Sequence, residues 1–499
     1  LIPGWPAFDW GRLLLGYPAY VSAIPVLGWQ KGEGRDRLFI ALEVVALWSL
    51  VDRLLIPSGR WFLRRRLNRL IDTVNRRLDV EIKPFQLTKR QVLIDRLVYD
   101  PQVVAAANDY ARENKIPREA AMNEVYRYAR EIVPTFNAYL YFRLGYSIAR
   151  LIARLLYRVR LGYADEKTLA GVPAGTAVVF VMNHRSNMDY VLVAFLAAER
   201  TALSYAVGEW ARIWPLQQLI RSMGAYFVRR NSNNPVYRRV LERYVHMATE
   251  AGVAQAMYPE GGLSRDGRLR SPKLGLLDYM LKSFDPTRGT DIVFVPVALN
   301  YDRVLEDRTL LRSLDKEAPR RGIWFALKTT FGFWFSQLGL MLTGRWYRFG
   351  YACVNFGRMV SARDWLAAHS GGSIGDLRSL DKDQRFEVVG RLADDLMAEI
   401  SRIVPVLPVS LIATVLIEAE QPIDELDLKL RAGRLMEHFE ARGAKLYLPR
   451  GDRDYAFHVG LRMLALRHLV ETTADGLYTV VPAERPLLAY YANAIAHLR

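Results

Sequence analysis

The sequence predicts an α/β fold, with a mixed, mostly parallel sheet flanked by helices and with helical regions at both ends. From about residue 165, short apolar runs alternate with helical patterns, which is typical of parallel strands joined by crossover helices. Before and after that part of the chain, apolar residues recur at helical spacing. The runs assigned to strands are TAVVFVM (176–182), LSYAVG (203–208), GAYFV (224–228), AQAMYP (254–259), DIVFVPVAL (291–299) and RFGYACVNF (348–356).

This change of pattern divides the chain into three regions. Residues 1–160 are predicted to be a helical, membrane-associated region, 161–360 an α/β domain and 361–499 a helical C-terminal domain. RWFLRRRLNRLIDTVNRRL (60–78) has the pattern of a basic amphipathic helix, which suits either a membrane surface or a solvated helix face. LYTVVP (477–482) predicts one arm of a small hairpin. We expect a structural C-terminal domain and not a winged-helix DNA binder, because its basic residues are interleaved with acids.

The composition limits the class of protein. Of the 499 residues, 51% are hydrophobic and 24% are charged, so the chain is neither disordered nor a polytopic membrane protein. Its formal net charge of +17 favours an anionic partner, which is a phospholipid surface, nucleic acid, an acidic carrier or a phosphorylated substrate. The single cysteine, Cys353, excludes an internal disulfide and fits a reducing compartment. Seven scattered histidines show no zinc-ligand spacing, so we expect no metal.

No segment has the pattern of a membrane-spanning helix, which needs about 20 apolar residues. Residues 38–56 contain Glu43 and Asp52, and residues 403–417 contain two prolines. The uncharged segment TTFGFWFSQLGLMLTG (329–344) is short. Its aromatic residues suit a helix or hairpin lying in the lipid interface, and a buried core helix is the alternative.

A histidine and an aspartate stand five positions apart after the first of these strands. His184 and Asp189 lie in FVMNHRSNMDYV (180–191), where a tight turn into a helix would bring the carboxylate back to the imidazole. A histidine held by a carboxylate can take a proton from an alcohol. Taken alone, the pair favours a capped helix start, with Asn183 or Ser186 as the cap and Asp189 as a first-turn acid.

Basic side chains follow the later strands. Arg229 and Arg230 end GAYFVRR (224–230). The glycine-rich loop YPEGGLSRDGRLRSPKLG (258–275) carries four more, Arg265, Arg268, Arg270 and Lys273. Such a loop suits a phosphate monoester, and Glu260 within it would orient an arginine or bind a hydroxyl. Each arginine alone also fits a solvated surface charge, but the carboxyl ends of the strands meet at one edge, so we predict a single phosphate site.

Together these stretches resemble the conserved blocks of the glycerolipid acyltransferases, and most closely the bacterial membrane-bound glycerol-3-phosphate 1-O-acyltransferases. The resemblance runs from about residue 90 to the end and is strongest over 176–305. Two positions depart from the family pattern. Many members have His where this chain has Asn187, and the third block often has Arg where this chain has Leu263. The matched positions are His184 and Asp189 in the first block, Arg230 in the second, Glu260, Gly261, Ser264, Arg265 and Lys273 in the third, and Pro296 in the fourth, FVPVALNYDRVLE (294–306).

The resemblance implies transfer of a fatty acyl group from acyl-CoA or acyl-ACP (acyl carrier protein) to the sn-1 hydroxyl of glycerol 3-phosphate. The product would be lysophosphatidic acid, the first intermediate of phospholipid synthesis. It implies that His184 is the general base, that Asp189 orients it, and that the alcohol attacks the thioester directly. The residues predicted to bind substrate are Arg229, Arg230, Glu260, Gly261, Ser264, Arg265, Lys273 and Pro296.

The resemblance also implies a location and partners. We expect a peripheral or monotopic protein on the cytoplasmic face of the bacterial inner membrane, with anionic phospholipid but not nucleic acid as a partner, and with no cofactor besides the acyl donor. One alternative is the same chemistry on dihydroxyacetone phosphate or lysophosphatidate. A more distant one is a non-enzymatic basic protein that binds membrane or nucleic acid. Convergence of His184, Asp189 and the arginines in one cleft separates the enzyme from that last alternative.

Overall fold

The computed structural model describes residues 81–499 except 139, 165–171, 174, 198–200, 209–215, 230–231, 283, 287–289, 315–347 and 370–376, and of the first 80 residues only position 46. From residue 81 onwards the described residues belong to one compact unit, Val74–Arg499. The segments predicted to contact membrane at 60–78 and 329–344 lie outside the described residues. Within the described part of the chain, no helix combines the length and apolar character needed to cross a membrane.

The strands are β1 (Arg158–Ala164), β2 (Ala177–Met182), β3 (Ser204–Val207), β4 (Tyr226–Phe227), β5 (Gln255–Met257), β6 (Ile292–Tyr301), β7 (Tyr351–Phe356), β8 (Val360–Ser361), β9 (Val470–Thr472) and β10 (Tyr478–Val480). The first eight form one sheet in the order β1-β7-β6-β2-β5-β3-β4, and β8 pairs with β6. Strands β2 to β6 run parallel to their neighbours among themselves, whereas β7 and β8 are antiparallel to β6. The sheet is therefore mixed and mostly parallel, as the sequence predicts.

The α-helices are α1 (Pro84–Leu87), α2 (Arg90–Val98), α3 (Pro101–Glu113), α4 (Arg118–Ile132), α5 (Tyr146–Leu156), α6 (Met188–Ala197), α7 (Leu216–Ser222), α8 (Pro235–Glu250), α9 (Gly275–Leu281), α10 (Asp307–Arg312), α11 (Ala362–His369), α12 (Lys382–Arg402), α13 (Pro408–Glu418), α14 (Glu425–Ala441), α15 (Arg453–Ala465) and α16 (Arg485–Ala492). A π-helical segment, Leu140–Gly145, precedes α5, and a 3₁₀ segment, Asn493–Leu498, follows α16.

Helices cover both faces of the sheet. Side chains of a strand alternate between faces, and in β2 Val178, Phe180 and Met182 join a core with α5, α6 and α13 to α16. The intervening residues join a second core with α2 to α4, α8, α9, α11 and α12. All residues of β2 and β6 are therefore buried. Coverage of both faces explains why these two strands are continuous apolar runs in the sequence.

All six strands predicted from the sequence are present, and β10 forms the predicted hairpin arm against β9. Two strands of the sheet were not predicted. Strand β1 begins at Arg158, inside the region predicted to be helical. Among the described strands it pairs with β7 alone, and most of its residues are exposed, so its sequence RVRLGYA lacks an apolar run. Strand β8 has only two residues, too few to give a pattern.

The apolar residues of α13 to α16 belong to the core that covers one face of the sheet, and those of α11 and α12 belong to the core on the other face. The predicted domain boundaries stay a prediction. Buried hydrogen bonds join the end of β6 to the C-terminal region, because Asn300 Nδ2 donates to the carbonyl of Pro405 at 2.8 Å. Asp302 Oδ1 accepts the amide of Val409 in α13 at 3.1 Å. Burial raises the pKa of Asp302 to about 7, against the effect of its two amide donors.

Candidate active site

The predicted site residues lie where the parallel strands end. His184 follows β2, Glu260 follows β5, and Arg229 follows β4. Tyr301 is the last residue of β6. This edge is the usual position of ligand sites in open α/β sheets.

His184 and Asp189 form a direct pair. The imidazole Nδ1 lies 2.8 Å from Asp189 Oδ2, and both side chains are buried, with 2% and 0% exposed. One ring face stacks on Tyr258, with ring centroids 4.0 Å apart and an interplanar angle of 24°. The edge of a second ring, Tyr190, completes the aromatic surroundings at 5.5 Å. Among the described residues, Asp189 is the one hydrogen-bond partner of the imidazole.

The carboxylate of Asp189 also folds the loop that carries His184. Oδ2 accepts the amide of Arg185 at 2.8 Å and the amide of Ser186 at 3.1 Å. Both amides precede α6, so the carboxylate points back over the loop from the first turn of the helix. The turn into the helix thus brings Asp189 to His184, as the sequence predicts.

The helix-cap alternative is only partly right. Ser186 Oγ accepts the amide of Met188 at 3.1 Å, as a residue at a helix start does. Asn183 does not cap the helix. Its amide side chain donates to the carbonyl of Leu299 at 3.0 Å and accepts that residue's amide at 2.8 Å. Asn183 therefore fixes the end of β2 against β6.

The second oxygen of Asp189 is held by a tyrosine. Tyr301 donates its hydroxyl to Asp189 Oδ1 at 2.5 Å. Burial, together with the negative charge of Asp189, raises the pKa of Tyr301 well above its ordinary value. The phenol therefore keeps its proton and acts as a donor. The carboxylate has hydrogen bonds on both oxygens, which fixes its plane relative to the imidazole.

Glu260 joins the His184 loop to the glycine-rich loop. Oε1 accepts the amide of His184 at 2.9 Å, and Oε2 accepts the amide of Arg270 at 3.1 Å. Burial raises the pKa of Glu260 to about 7, while the two amides and the charges of Arg185 and Arg270 act in the opposite direction. Its carboxylate therefore binds backbone amides and not the arginine side chain or hydroxyl suggested by the sequence.

Gly261, Ser264 and Lys273 shape the glycine-rich loop. Gly261 has a φ of +67°, and a Cβ there would stand 2.6 Å from Lys273 Cδ, so the lysine stem crosses directly over the glycine. Ser264 is buried; its amide donates to the carbonyl of His184 at 2.9 Å and its hydroxyl to the carbonyl of Arg268 at 2.7 Å. The loop is therefore attached to the His184 loop through main-chain and carboxylate contacts.

Arg265 and Lys273 remain exposed. Among the described residues, neither has an ion-pair or hydrogen-bonding partner for its side chain. Arg265 directly follows Ser264, whose amide contacts the His184 carbonyl. Arg265 is thus an exposed cationic side chain, next in sequence to the residue that contacts the His184 loop.

The two arginines of the second block differ. Arg229 donates from Nε and Nη2 to the two carboxylate oxygens of Glu131, at 2.8 and 2.6 Å. Its guanidinium lies 5.1 Å from the ring centroid of Tyr128. In this structure the side chain of Arg229 is thus bound to helix α4 through Glu131. Its substrate-binding role stays a prediction. Arg230 lies outside the described residues.

Pro296 is buried inside β6, where it pairs with Val181 of β2. Strand β6 pairs with β8 at residues 293–294 and with β7 at residues 297–301. Because Pro296 falls between these two pairings, its missing N–H removes no hydrogen bond from either. Its predicted role on the acyl-donor side stays a prediction.

Three further residues of the site were not singled out from the sequence. Tyr258 and Tyr301 lie inside the quoted third and fourth stretches. The signal in the sequence that could have identified them as site residues is their position at the ends of strands. Glu306 accepts the hydroxyl of Ser186 at 2.7 Å and the amide of Asn187 at 3.2 Å. Its side chain is largely removed from solvent, and this desolvation raises its pKa. Glu306 ends the quoted fourth stretch, and its position before a helix is a further signal.

Arg185 is also buried, next to the histidine. Its Nη1 donates to the carbonyl of Gly267, and its guanidinium lies 5.1 Å from the ring centroid of Tyr490 in α16. A Cβ on Gly267 would stand 2.0 Å from the Tyr490 carbonyl oxygen. Asn493 Nδ2 donates to the carbonyl of Asp266 at 2.9 Å. The C-terminal helices therefore contact both loops of the site.

Among the described residues, no group of three or more His, Cys, Asp or Glu is arranged to hold a metal ion. The expectation that no metal or cofactor is needed stays a prediction.

Two family models match the chain. Residues 166–300 match the model described as Acyltransferase, and residues 337–499 match the one described as Glycerol-3-phosphate acyltransferase C-terminal region. The first range contains the His184–Asp189 pair and the glycine-rich loop. The second contains the helices that contact them.

Curated relatives carry the same description. The glycerol-3-phosphate acyltransferase of Pseudomonas entomophila is 28% identical over 470 residues, which is 91% of this chain and 54% of the relative. That of Pseudomonas aeruginosa strain UCBPP-PA14 is 28% identical over 465 residues, 89% of this chain and 53% of the relative. The chain spans about half the length of the curated relatives it matches.

A crystal structure of the 1-acyl-sn-glycerophosphate acyltransferase of Thermotoga maritima aligns with 62% of this chain and 97% of that chain, at 17% identity and a TM-score of 0.27. The likeness to known acyltransferases therefore depends on the sequence matches. Both family models are those of acyltransferases, and the relatives that share about nine tenths of the chain carry one name. In sequence, the chain is similar to the glycerol-3-phosphate acyltransferases along most of its length.

Proposed function

We propose that this chain transfers a fatty acyl group from a thioester to the sn-1 hydroxyl of glycerol 3-phosphate. The observation that carries the proposal is the buried 2.8 Å contact between His184 Nδ1 and Asp189 Oδ2 at the end of β2. The names of its relatives support the acceptor.

The contact favours one tautomer of the imidazole. If Nδ1 carries the proton that is donated to Asp189, Nε2 has a free lone pair and is the basic atom. This tautomer is assigned from the hydrogen-bond network. Stacking on Tyr258 and the edge contact with Tyr190 restrict the ring to one plane. His184 is thus arranged to take a proton from an alcohol that approaches Nε2.

The proposed reaction proceeds without an acyl-enzyme. As the sn-1 oxygen attacks the thioester carbonyl carbon, its proton moves to Nε2. The negative charge of Asp189 stabilises the imidazolium that forms. When the carbon–sulfur bond breaks, the thiolate takes the proton from Nε2, which restores the neutral ring and leaves an ester and a free thiol. A general base of this kind contributes about 10²–10⁴-fold in rate.

The glycine-rich loop is the proposed phosphate site. Arg265 and Lys273 are exposed and have no carboxylate partner among the described residues, so their charges are available to an anion. The loop is attached to the His184 loop through Glu260 and Ser264. Fixed attachment would hold the phosphate at a constant distance from the base. Arg230 is the third proposed contact, from the family resemblance.

We also propose that the chain works on the cytoplasmic face of the bacterial inner membrane. Its net charge of +17 favours an anionic surface, and a fatty acyl product is membrane-bound by nature. Sedimentation with vesicles tests this proposal. Binding to phosphatidylglycerol vesicles but not to phosphatidylcholine vesicles at low salt is expected, and equal absence of binding to both would contradict it.

An acylation assay on the purified chain tests the reaction. Labelled palmitoyl-CoA and palmitoyl-ACP are offered separately with glycerol 3-phosphate, dihydroxyacetone phosphate or lysophosphatidate. We expect acylation of glycerol 3-phosphate at sn-1 with at least one donor, unaffected by EDTA. Preference for another acceptor would show that the alternative substrate is the correct one. If no acceptor is acylated, the proposal that this chain is an acyltransferase is wrong.

The matched control uses a second His–Asp pair of the same chain. His458 Nε2 lies 3.3 Å from Asp454 Oδ2 on the exposed surface of α15. His184→Ala should lower kcat by about 10²-fold or more, whereas His458→Ala should leave it unchanged. Near-normal kcat in His184→Ala, with unchanged circular dichroism, would rule out the proposed base.

A further inference from the structure

A cavity of about 590 Å³ lies at the edge of the sheet formed by β1, and no residue of the described His184 loop lines it. Five arginines line it, and among the residues that the structure describes no Asp or Glu does. They are Arg154, Arg158, Arg160, Arg348 and Arg450, and we call the space the arginine cavity. Its volume is that of a typical small-molecule site.

Tyrosine side chains contact three of these arginines. Arg158 Nη1 donates to the hydroxyl of Tyr351 at 3.3 Å, and Arg160 Nε donates to the hydroxyl of Tyr447 at 2.9 Å. The guanidinium of Arg450 lies 4.2 Å from the ring centroid of Tyr455. A fixed guanidinium loses less freedom when it binds an anion.

The positive charge of the cavity is not neutralised within the described part of the chain. None of the five arginines forms an ion pair with a described carboxylate. Like charges gathered in one cavity repel one another, and this arrangement becomes favourable when a multiply charged anion binds. Guanidinium groups bind phosphate oxygens in pairs, so phosphate is the anion that fits best.

The rest of the lining is apolar or aromatic. Tyr157, Phe195 and Leu196 contribute to the walls beside the arginines. A free phosphate would leave this surface unused. A ligand with both phosphates and a flat base would use both parts of the lining, because aromatic side chains stack on nucleobases.

The cavity lies beside the candidate active site. Helix α6 carries Asp189 in its first turn and Leu196 at its other end, about 10 Å further along at 1.5 Å per residue. Tyr157 in the cavity wall packs on Tyr301 with ring centroids 5.4 Å apart, and Tyr301 binds Asp189. Tyr157 and Tyr301 belong to the core on one face of the sheet, and Leu196 packs against that core.

We propose that the arginine cavity binds the phosphorylated adenosine end of acyl-coenzyme A, with the acyl thioester extending along α6 toward His184. The identity of the ligand as the acyl donor rests on the proposed function. Binding of a phosphorylated nucleotide does not, since it requires no turnover.

Calorimetry with coenzyme A, adenosine 3′,5′-bisphosphate and pantetheine tests the site on the full chain. The first two should bind and pantetheine, which lacks the phosphates, should not. The double variant Arg158→Gln/Arg160→Gln should bind both nucleotides about tenfold or more weakly. The matched control Arg391→Gln/Arg434→Gln removes the same charge from exposed arginines outside the cavity and should bind as the parent does. Failure of the parent to bind, or equal binding by the two double variants, overturns the proposal.

Other ligands give different outcomes. If the cavity double variant loses binding to phosphatidylglycerol vesicles or to acyl carrier protein while its affinity for coenzyme A is unchanged, the cavity is a lipid or carrier-protein site and the proposal is wrong. In turnover, the variant should show a KM for acyl-CoA about tenfold higher, with kcat and the KM for glycerol 3-phosphate within twofold of the parent. The parent could bind nucleotide through the cavity arginines and yet acylate no acceptor. That result would support the cavity as a binding site and would refute only the proposed function.

Discussion

The hydroxyl of Tyr301 donates to Asp189 Oδ1 at 2.5 Å while His184 is bound to the other carboxylate oxygen at 2.8 Å. The aspartate therefore has partners on both sides, and its orientation depends on a residue from a different strand. A hydrogen bond to a charged group contributes about 1.5–3 kcal/mol. Tyr301 is accordingly a positioning residue, because it acts on the base through Asp189.

Tyr301→Phe should lower kcat about tenfold or more and leave the KM for glycerol 3-phosphate within about twofold. The ring remains, so packing is preserved while the carboxylate loses one donor. Steady-state kinetics across pH provide the measurement, and the limb due to the base should shift. Tyr141→Phe is the matched control, because Tyr141 is equally buried and its hydroxyl accepts the amide of Leu203 at 3.1 Å without contacting Asp189. Equal effects of the two variants would contradict the positioning role.

Asp189→Asn should lower kcat by about 10³-fold or more with the fold retained. An asparagine can still accept the amides of Arg185 and Ser186 through its one oxygen. It cannot supply the negative charge that stabilises a protonated His184. Kinetics and thermal unfolding are measured on the same preparation. A loss of kcat below tenfold would show that the charge of Asp189 is not needed.

Glu260 should make the protein less stable as pH rises from about 4.5 to about 7. Burial raises the pKa of this carboxyl to about 7 from an ordinary 4.5, so in that window the folded chain keeps a proton that the unfolded chain has released. The free energy of unfolding therefore decreases with pH, by on the order of 2–3 kcal/mol in total.

Glu260→Gln removes this titration. Below about pH 4.5 the variant should be less stable than the parent, because one amide loses its acceptor. Its free energy of unfolding should nevertheless depend less steeply on pH than that of the parent. Asp302, with the same direction of shift, should maintain the remaining slope. Denaturant unfolding at a series of pH values checks this, and parallel curves for parent and variant would contradict it.

Gly267→Ala should separate the glycine-rich loop from α16. The residue has a φ of +91°, and its Cβ would stand 2.0 Å from the carbonyl oxygen of Tyr490. Gly443→Ala is the control, since Gly443 has a φ of +74° but nothing within 4 Å of its Cβ. Both variants bear backbone strain of about 1–2 kcal/mol. The free energy of unfolding should fall by at least about 2 kcal/mol more in Gly267→Ala, and equal losses would contradict the contact.

The strands and the dyad could be predicted because their signals are local. A strand covered by helices on both faces must be apolar throughout, so β2 and β6 are visible as runs. The edge strand β1 has no such requirement and was missed. The spacing of His184 and Asp189 indicates the pair because both lie in a single turn.

The supporting contacts could not be predicted because they join distant parts of the chain. Tyr301 and Asp189 are separated by 112 positions, and no periodic pattern specifies which tyrosine reaches a carboxylate. The partners of Glu260 are backbone amides, which leave no trace in the identity of a residue. The partner of Arg229 could not be predicted for the same reason, because Glu131, which binds it, lies 98 positions earlier in the chain.

The shared core has a consequence for synthesis of the chain. One face of the sheet packs against α2 to α4, which leave the ribosome before the strands do. The other face packs against α5 and α6 and against α13 to α16, and the latter four helices follow strands β1 to β8 in the chain. Until Tyr490 and its neighbours emerge, the apolar side chains on that face can pack only against α5 and α6. A nascent chain that stalls or is cleaved before α16 would therefore present a partly uncovered sheet to other proteins and become a substrate for chaperones and proteases.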